Sequence, residues 1–334
     1  MTHTYSFVVR NASRLAHVQR RLLAVVVCAL SAFACPAQAD MSKPKVATEP
    51  TSAVHDTSRI ISIGGAVTEI LYALGLEQTI VAVDTTSLYP ASAAKEKKSV
   101  GYMRQLSAEG VLGLAPSLIM AIEGSGPKDT MSVLQNAGIP LVIVPDRFTG
   151  QGIIEKVNLV AEAVGASERG RCVAEQVQTD LATLRKIEGS ISKRKRVLFV
   201  LSFVSGRAMV AGRNTAADGI IQLAGATNAI SEYEGYKPIS DEAVVAANPD
   251  VVLVMERNTG SLTADAVFAH PAFSATPAAA SQAFVSMEGL YLLGFGPRSA
   301  HAARDLAVAI YPTLKSEFPP SDYLMGSGKS CRAP

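Results

Sequence analysis

The chain has 334 residues, of which 48% are apolar and 18% charged; tryptophan is absent and the formal net charge is +2. Four arginines (Arg10, Arg14, Arg20 and Arg21) and no acid fall in the first 39 residues. The 31 basic groups less these four leave 27 against 29 acidic ones, so the remainder is not a basic, nucleic-acid-binding chain. Just under 300 residues is more than one ordinary domain and predicts two.

The amino terminus reads as a signal peptide over 1–39. Its arginines precede an apolar run from Leu22 to Ala34, and Ala37-Gln38-Ala39 offers small residues for cleavage before Asp40. The run is shorter than the roughly 20 residues that cross a membrane. Ala32-Phe33-Ala34 is a poor lead-in to a lipidated cysteine, so lipid anchoring at Cys35 is not expected. Residues 40–56 are polar and read as a disordered leader. Cys28 and Cys35 leave with the signal, and the sequence leaves open whether Cys172 and Cys331 pair. In an aperiodic carboxy-terminal stretch, Cys331 reads as dispensable.

The spacing then predicts a strand at Arg59–Ile63, a Gly64-Gly65 turn, and a helix over Thr68–Leu74 ended by Gly75. A strand at Thr79–Val83, a loop over Asp84–Pro90, and a helix at Ser107–Leu114 follow. Next come a strand at Leu118–Ala121, a helix at Lys128–Ala137 and a strand at Leu141–Val144. This alternation predicts βαβ units and a mainly parallel sheet. From Gly152 to Ile187 only helical periodicity is present, with Gly165 and Gly170 as bending points. A strand at Val197–Ser202 opens a second α/β unit. The fold class is therefore α/β: two lobes, each a mainly parallel sheet flanked by helices, joined by a long rigid helical connection. The expected division is 57–150 for the first lobe, 151–190 for the connection, 191–320 for the second lobe and 321–334 for a tail.

The second unit repeats the first. Leu106-Ser107-Ala108-Glu109-Gly110-Val111-Leu112 parallels Ile239-Ser240-Asp241-Glu242-Ala243-Val244-Val245, and Pro116 and Pro249 follow at the same offset before an apolar strand. A repeat this long points to two domains of common design rather than a solenoid. Ser107 and Ser240 read as helix N-caps, with Glu109 and Glu242 favourable at the positive helix ends. Two matched acids would also suit a two-fold symmetric partner.

Several segments together resemble the periplasmic solute-binding proteins of ABC importers for haem, cobalamin and ferric siderophores, and specifically their haem branch. They are Gly64-Gly65-Ala66-Val67-Thr68-Glu69-Ile70, Val83-Asp84-Thr85-Thr86-Ser87-Leu88-Tyr89-Pro90 and Val100 to Glu109 in the first half. In the second half they are Val210 to Asp218 and Gly235-Tyr236-Lys237-Pro238. The resemblance covers Arg59 to Tyr311. It implies a ligand cleft between two lobes and export to the periplasm. The implied partners are an inner-membrane permease dimer with its ATPase and an outer-membrane haem donor, with the protein itself a monomer. It also implies that Glu109 and Glu242 dock on the permease.

In the haem branch the tyrosine of the Tyr-Pro pair binds ferric iron, which makes Tyr89 the expected iron ligand. A phenolate is a hard donor suited to Fe(III). Met103, Arg104, Phe203, Arg213, Tyr236 and Arg257 are the candidates for the haem face or its propionates, the arginines because a guanidinium forks onto a carboxylate. Tyr102 is a further candidate for the porphyrin face. Some members of the haem branch use a second, histidine ligand on the other lobe; Phe203 stands at that place here, and His55, His270 and His301 lack ligand spacing, so single tyrosinate ligation is expected. His270 reads as a surface residue. The rival cargo is cobalamin or a ferric siderophore. An enzyme is not expected: Gly64-Gly65 lacks the Gly-x-Gly-x-x-Gly spacing, and neither a Gly-x-Ser-x-Gly elbow nor a nucleophile–base set is present.

Overall fold

Short aliphatic runs set between glycines, prolines and polar residues become strands, and the longer periodic runs become helices. The computed structural model describes residues 55–256, 260, 262–316 and 331. The signal peptide, residues 40–54 of the leader, Arg257 and all of the tail except Cys331 lie outside the described residues. His55 and Asp56, expected in the leader, belong to the first lobe: the His55 backbone N–H donates to Ala163 (3.3 Å), and Asp56 accepts from Ser58 (2.8 Å).

The first lobe comprises β1 (Ile60–Ile63), α1 (Gly65–Ala73), β2 (Ile80–Val83), α2 (Ala91–Glu96), β3 (Lys98–Ser99), α3 (Ala108–Leu112), β4 (Leu118–Ile122), α4 (Lys128–Gln135) and β5 (Leu141–Val144). The sheet order is β3-β2-β1-β4-β5, with every pairing parallel. Both faces of such a sheet must be covered. Along β4, Leu118, Met120 and Ile122 enter one buried cluster while Ile119 and Ala121 enter the other. Helix α1 starts three residues earlier than its apolar periodicity suggests. Gly64, at φ 107°, turns the chain directly into it without a side-chain cap.

The connection is two helices rather than one bent rod. α5 (Gly150–Ala163) and α6 (Ser167–Gly189) are separated at Gly165, whose φ is 67°. Gly170 does not bend α6; a Cβ there would lie 2.2 Å from that of Ala161, so the glycine lets the two helices pack closely. Along α6, Val173 and Ala174 enter the core of the first lobe, whereas Val177, Leu181, Leu184 and Ile187 enter that of the second. A rod of 23 residues, about 34 Å at the usual helical rise, is thus shared by both cores.

The second lobe comprises β6 (Arg196–Val204), β7 (Arg207–Ala211), α7 (Ala216–Leu223), β8 (Thr227–Asn228), β9 (Tyr236–Pro238), α8 (Asp241–Ala247) and β10 (Val251–Glu256). It continues with α9 (Ala264–Phe268), α10 (Pro271–Ser274), α11 (Pro277–Ala280), β11 (Phe284–Glu288), α12 (Gly289–Leu293) and α13 (Ser299–Ile310). Its sheet order is β11-β10-β6-β7-β9, with β8 also on β6. The pairings among β11, β10, β6 and β8 are parallel, while β7 and β9 are antiparallel. The reversal occurs at Ser205-Gly206, both at positive φ (49° and 77°), which form a two-residue hairpin turn between β6 and β7.

Cys172 of α6 is disulfide-bonded to Cys331, with Cα atoms 5.7 Å apart, and Cys331 is buried in the core of the first lobe. The expectation that Cys331 is dispensable is therefore corrected: it ties the carboxy terminus to that lobe.

Candidate functional site

The Tyr89 loop hangs on one buried carboxylate. Asp84, at the end of β2, accepts from the backbone of Gly64 (2.8 Å) and Thr86 (2.9 Å) and from the hydroxyls of Thr86 (2.7 Å) and Ser87 (2.9 Å). The Thr86 hydroxyl also accepts from Gly65 N–H (3.0 Å), and Ser87 is linked through Thr68 to Ser62 by hydroxyl contacts of 2.7 Å. Asp84-Thr85-Thr86-Ser87 is therefore scaffolding. It fixes the loop to the Gly64-Gly65 turn two residues before Tyr89, which is half-buried with a cis bond to Pro90.

The second lobe delivers a cation to this tyrosine. The Arg298 guanidinium, at the N-cap of α13, lies over the Tyr89 ring at 3.5 Å from its centroid. Glu69 of α1, itself buried, holds that arginine twice, accepting from its backbone N–H and from a guanidinium nitrogen, each at 3.0 Å. Arg298 Nε is buried and makes no hydrogen bond among the described residues. Close by, Lys156 of α5 donates to Asp146 (2.6 Å) and to the Phe295 carbonyl (3.2 Å). Residues 295–298 of the second lobe are thus pinned by acid and base from α1 and α5. Gly65 permits the same approach: a Cβ there would lie 2.5 Å from both Leu290 of α12 and the Thr86 carbonyl.

A second tyrosine flanks the same guanidinium. Arg298 lies 5.2 Å from the Tyr291 ring centroid, and the Tyr291 hydroxyl donates to Asp305 (2.8 Å). Burial, followed by the Asp305 charge, pushes the Tyr291 phenol well above its ordinary range, against the smaller opposing pull of Arg298 and Arg304. Tyr291 is therefore held as a neutral phenol.

The remaining sequence candidates do not all gather here. Arg104 of the first lobe is exposed, and its charge is felt at Tyr236 of β9. Burial raises the Tyr236 phenol, partly offset by hydrogen bonds from Ala217 and Thr215 and by the Arg104 charge. Met103 packs into both cores of the first lobe. Phe203 stacks on His270 at 5.3 Å and packs on Phe273, inside the second lobe. Arg213 pairs loosely with Glu234 (4.0 Å) and borders a 720 Å³ groove between α6 and α7. Tyr102 is 41% exposed. Arg257 lies outside the described residues. His270 is no free surface residue: it caps α10 and contacts the Gly206 carbonyl (3.0 Å). His301 pairs with Asp180 at 2.9 Å.

Sequence reasoning missed Arg298, Glu69 as its partner, Tyr291 and Lys156. A signal was available at Gly294-Phe295-Gly296-Pro297-Arg298, where two glycines and a proline bring an arginine to a helix start.

At the repeated motif, Ser107 accepts from Gly110 N–H and Ser240 from Ala243 N–H, both at 3.3 Å. Glu109 and Glu242 stand exposed in the first turns of α3 and α8. Hydrogen bonds from its own backbone N–H and from Ser240 lower the Glu242 pKa.

The sequence matches the periplasmic binding protein family over residues 60–289. The chain belongs to that family. It is accordingly a substrate-binding transport protein of the kind that serves an ABC importer with its permease and ATPase. Its fold matches the periplasmic haem-binding protein BhuT in complex with two haems at 37% identity and a TM-score of 0.72, covering 77% of this chain and 98% of that one. The periplasmic haem-binding protein RhuT from Roseiflexus sp. RS-1, in its apo form, matches at 38% identity and a TM-score of 0.72, with the same coverage. The vitamin B12-binding protein of Yersinia pestis (strain Pestoides F) is 29% identical over 226 residues, 67% of this chain and 78% of the relative.

Proposed function

We infer that this periplasmic binding protein captures ferric haem through Tyr89 and passes it to an ABC permease dimer. In this reading it leaves the cytoplasm by its signal peptide, works in the periplasm as a monomer, and receives haem from an outer-membrane donor. Glu109 and Glu242 are the docking points on the permease.

The observation that carries the reading is the pairing of a rigidly mounted tyrosine with a guanidinium over its ring. A phenol must ionise to bind iron well, and a cation beside it favours the anionic form. Of the two tyrosines flanking Arg298, Tyr291 is disfavoured as a phenolate by burial and then by Asp305, which leaves Tyr89 as the donor. The unpaired Arg298 Nε–H is a further donor that an anionic ligand would satisfy. Arg104 and Tyr236, on opposite lobes, suit a propionate and the porphyrin face. The likeness to BhuT and RhuT points to the same cargo.

Cobalamin is the second reading, favoured by the Yersinia pestis relative. One titration separates the two. Ferric haem added to purified mature protein should shift the Soret band and give a high-spin tyrosinate charge-transfer band, both lost in Tyr89→Ala. A Soret shift that survives Tyr89→Ala would remove Tyr89 as the ligand, and no Soret shift in the native protein, with saturable binding of cyanocobalamin, would transfer the assignment to cobalamin.

A further inference from the structure

Arg298 and the Tyr291 ring beside it are supplied by one lobe, whereas Tyr89 and Glu69, which Arg298 also engages, belong to the other. Its guanidinium covers Tyr89 at 3.5 Å, and its backbone and side chain are both held by Glu69. Both Glu69 carboxylate oxygens are taken up by Arg298. With these committed and the residue only 2% exposed, Glu69 is not a ligand candidate. The fit is tight on the second-lobe side as well, where a Cβ on Gly296 would come within 3.2 Å of the Glu69 carboxyl carbon. An arginine anchored by both its backbone N–H and one guanidinium nitrogen has little freedom to leave the ring.

We propose that Glu69 is a positioning residue for the Tyr89 ligand, acting through Arg298, and that it makes ligand strength conditional on contact between the lobes. This rests on the reading of Tyr89 as the haem ligand. With the lobes in contact, Glu69 keeps the cation over the phenolate oxygen's ring, and the iron–oxygen bond is supported. When the lobes part, Glu69 and Tyr89 stay on the first lobe and Arg298 leaves with the second. The ligand then loses its neighbouring cation at the moment the cleft opens. Separation of the lobes would thus both uncover the haem and weaken its bond, without any residue dedicated to release.

The test uses mature protein loaded with ferric haem and apomyoglobin as the acceptor. Glu69→Gln should bind haem but release it about tenfold faster, a change equivalent to ~1.4 kcal/mol, with a shifted tyrosinate charge-transfer band. Arg298→Gln should do the same, and the double variant should release haem no faster than either single one, because the two residues act as a unit. Release rates and band position unchanged in Glu69→Gln, or effects that add in the double variant, would overturn the proposal. Should Glu69→Gln fail to fold by circular dichroism, Glu69→Asp and Arg298→Lys keep both charges while shortening their reach. Faster release with native circular dichroism supports the proposal there too, and unchanged release overturns it. Tyr89→Phe distinguishes the layers: if it leaves the haem spectrum intact, the reading of Tyr89 as the iron ligand fails; if it abolishes the band while Glu69→Gln changes nothing, only the role of Glu69 fails.

Discussion

At α3 and α8 the two lobes are close copies. Each helix is capped by a serine at 3.3 Å and exposes a glutamate in its first turn. Around Tyr89 they share nothing: the first lobe contributes a tyrosine loop hung on Asp84, and the second a Gly-Pro segment carrying Arg298. A duplicated fold retains its symmetry where a symmetric partner would read both halves alike. On the proposed function it loses symmetry where one ligand needs one donor and one counter-charge. The same contrast appears in the sheets, all-parallel in the first lobe but reversed after Ser205-Gly206 in the second.

The sharpest attack on the repeated side is charge reversal. Glu109→Lys with Glu242→Lys should abolish stimulation of the permease ATPase in reconstituted vesicles while haem titration stays unchanged. Stimulation at the native level in the double variant would show that the repeat is only a pair of helix caps.

On the unrepeated side, Asp84→Ala leaves the buried Gly64 N–H and the part-buried Thr86 N–H without their acceptor. It should cost about 3 kcal/mol or more in urea unfolding, at 1–3 kcal/mol for each unsatisfied group, and should weaken haem binding as the loop loosens. An equal loss of stability with full haem affinity would mean that the loop need not be held.

The disulfide ties only the first lobe. Replacing Cys172 and Cys331 by serine should cost about 2–4 kcal/mol, the usual range for a native bridge, read as a lower Tm. Haem spectra should be unaffected, because neither cysteine approaches Tyr89 through a described contact.

The smallest expected effects compare the repeat with itself. Ser107→Ala and Ser240→Ala should each cost about 1 kcal/mol. Acid should weaken α8 in addition: the folded pKa of Glu242 is depressed below 4.5, so its contribution is present above that value and fades as pH falls through the folded pKa. Protection factors for amide exchange in α8, relative to the intrinsic rate at each pH, should accordingly fall as pH drops below about 4.5.

The lobes, their order and the paired glutamates were legible because each rests on local chemistry. Strand and helix periodicities, glycine turns and serine caps act over a few residues, so a linear reading finds them. Tyr89 was legible only as part of a longer resembling motif. The reason for that motif, four hydrogen bonds converging on Asp84, is visible only in three dimensions. Phe203 and Arg213 looked equally suitable as cleft residues. Packing against His270 claims the first, and the second lies beside a groove between α6 and α7.

By itself, then, the sequence determined an α/β protein of two related lobes, a helical join, and one tyrosine loop without a counterpart. Tertiary structure decided which charges meet. Glu69 and Arg298 are separated by 229 positions, and Cys172 and Cys331 by 159. No periodicity spans such distances, so their pairing is fixed only when α1, α6 and α13 pack and the burial of each group demands a partner.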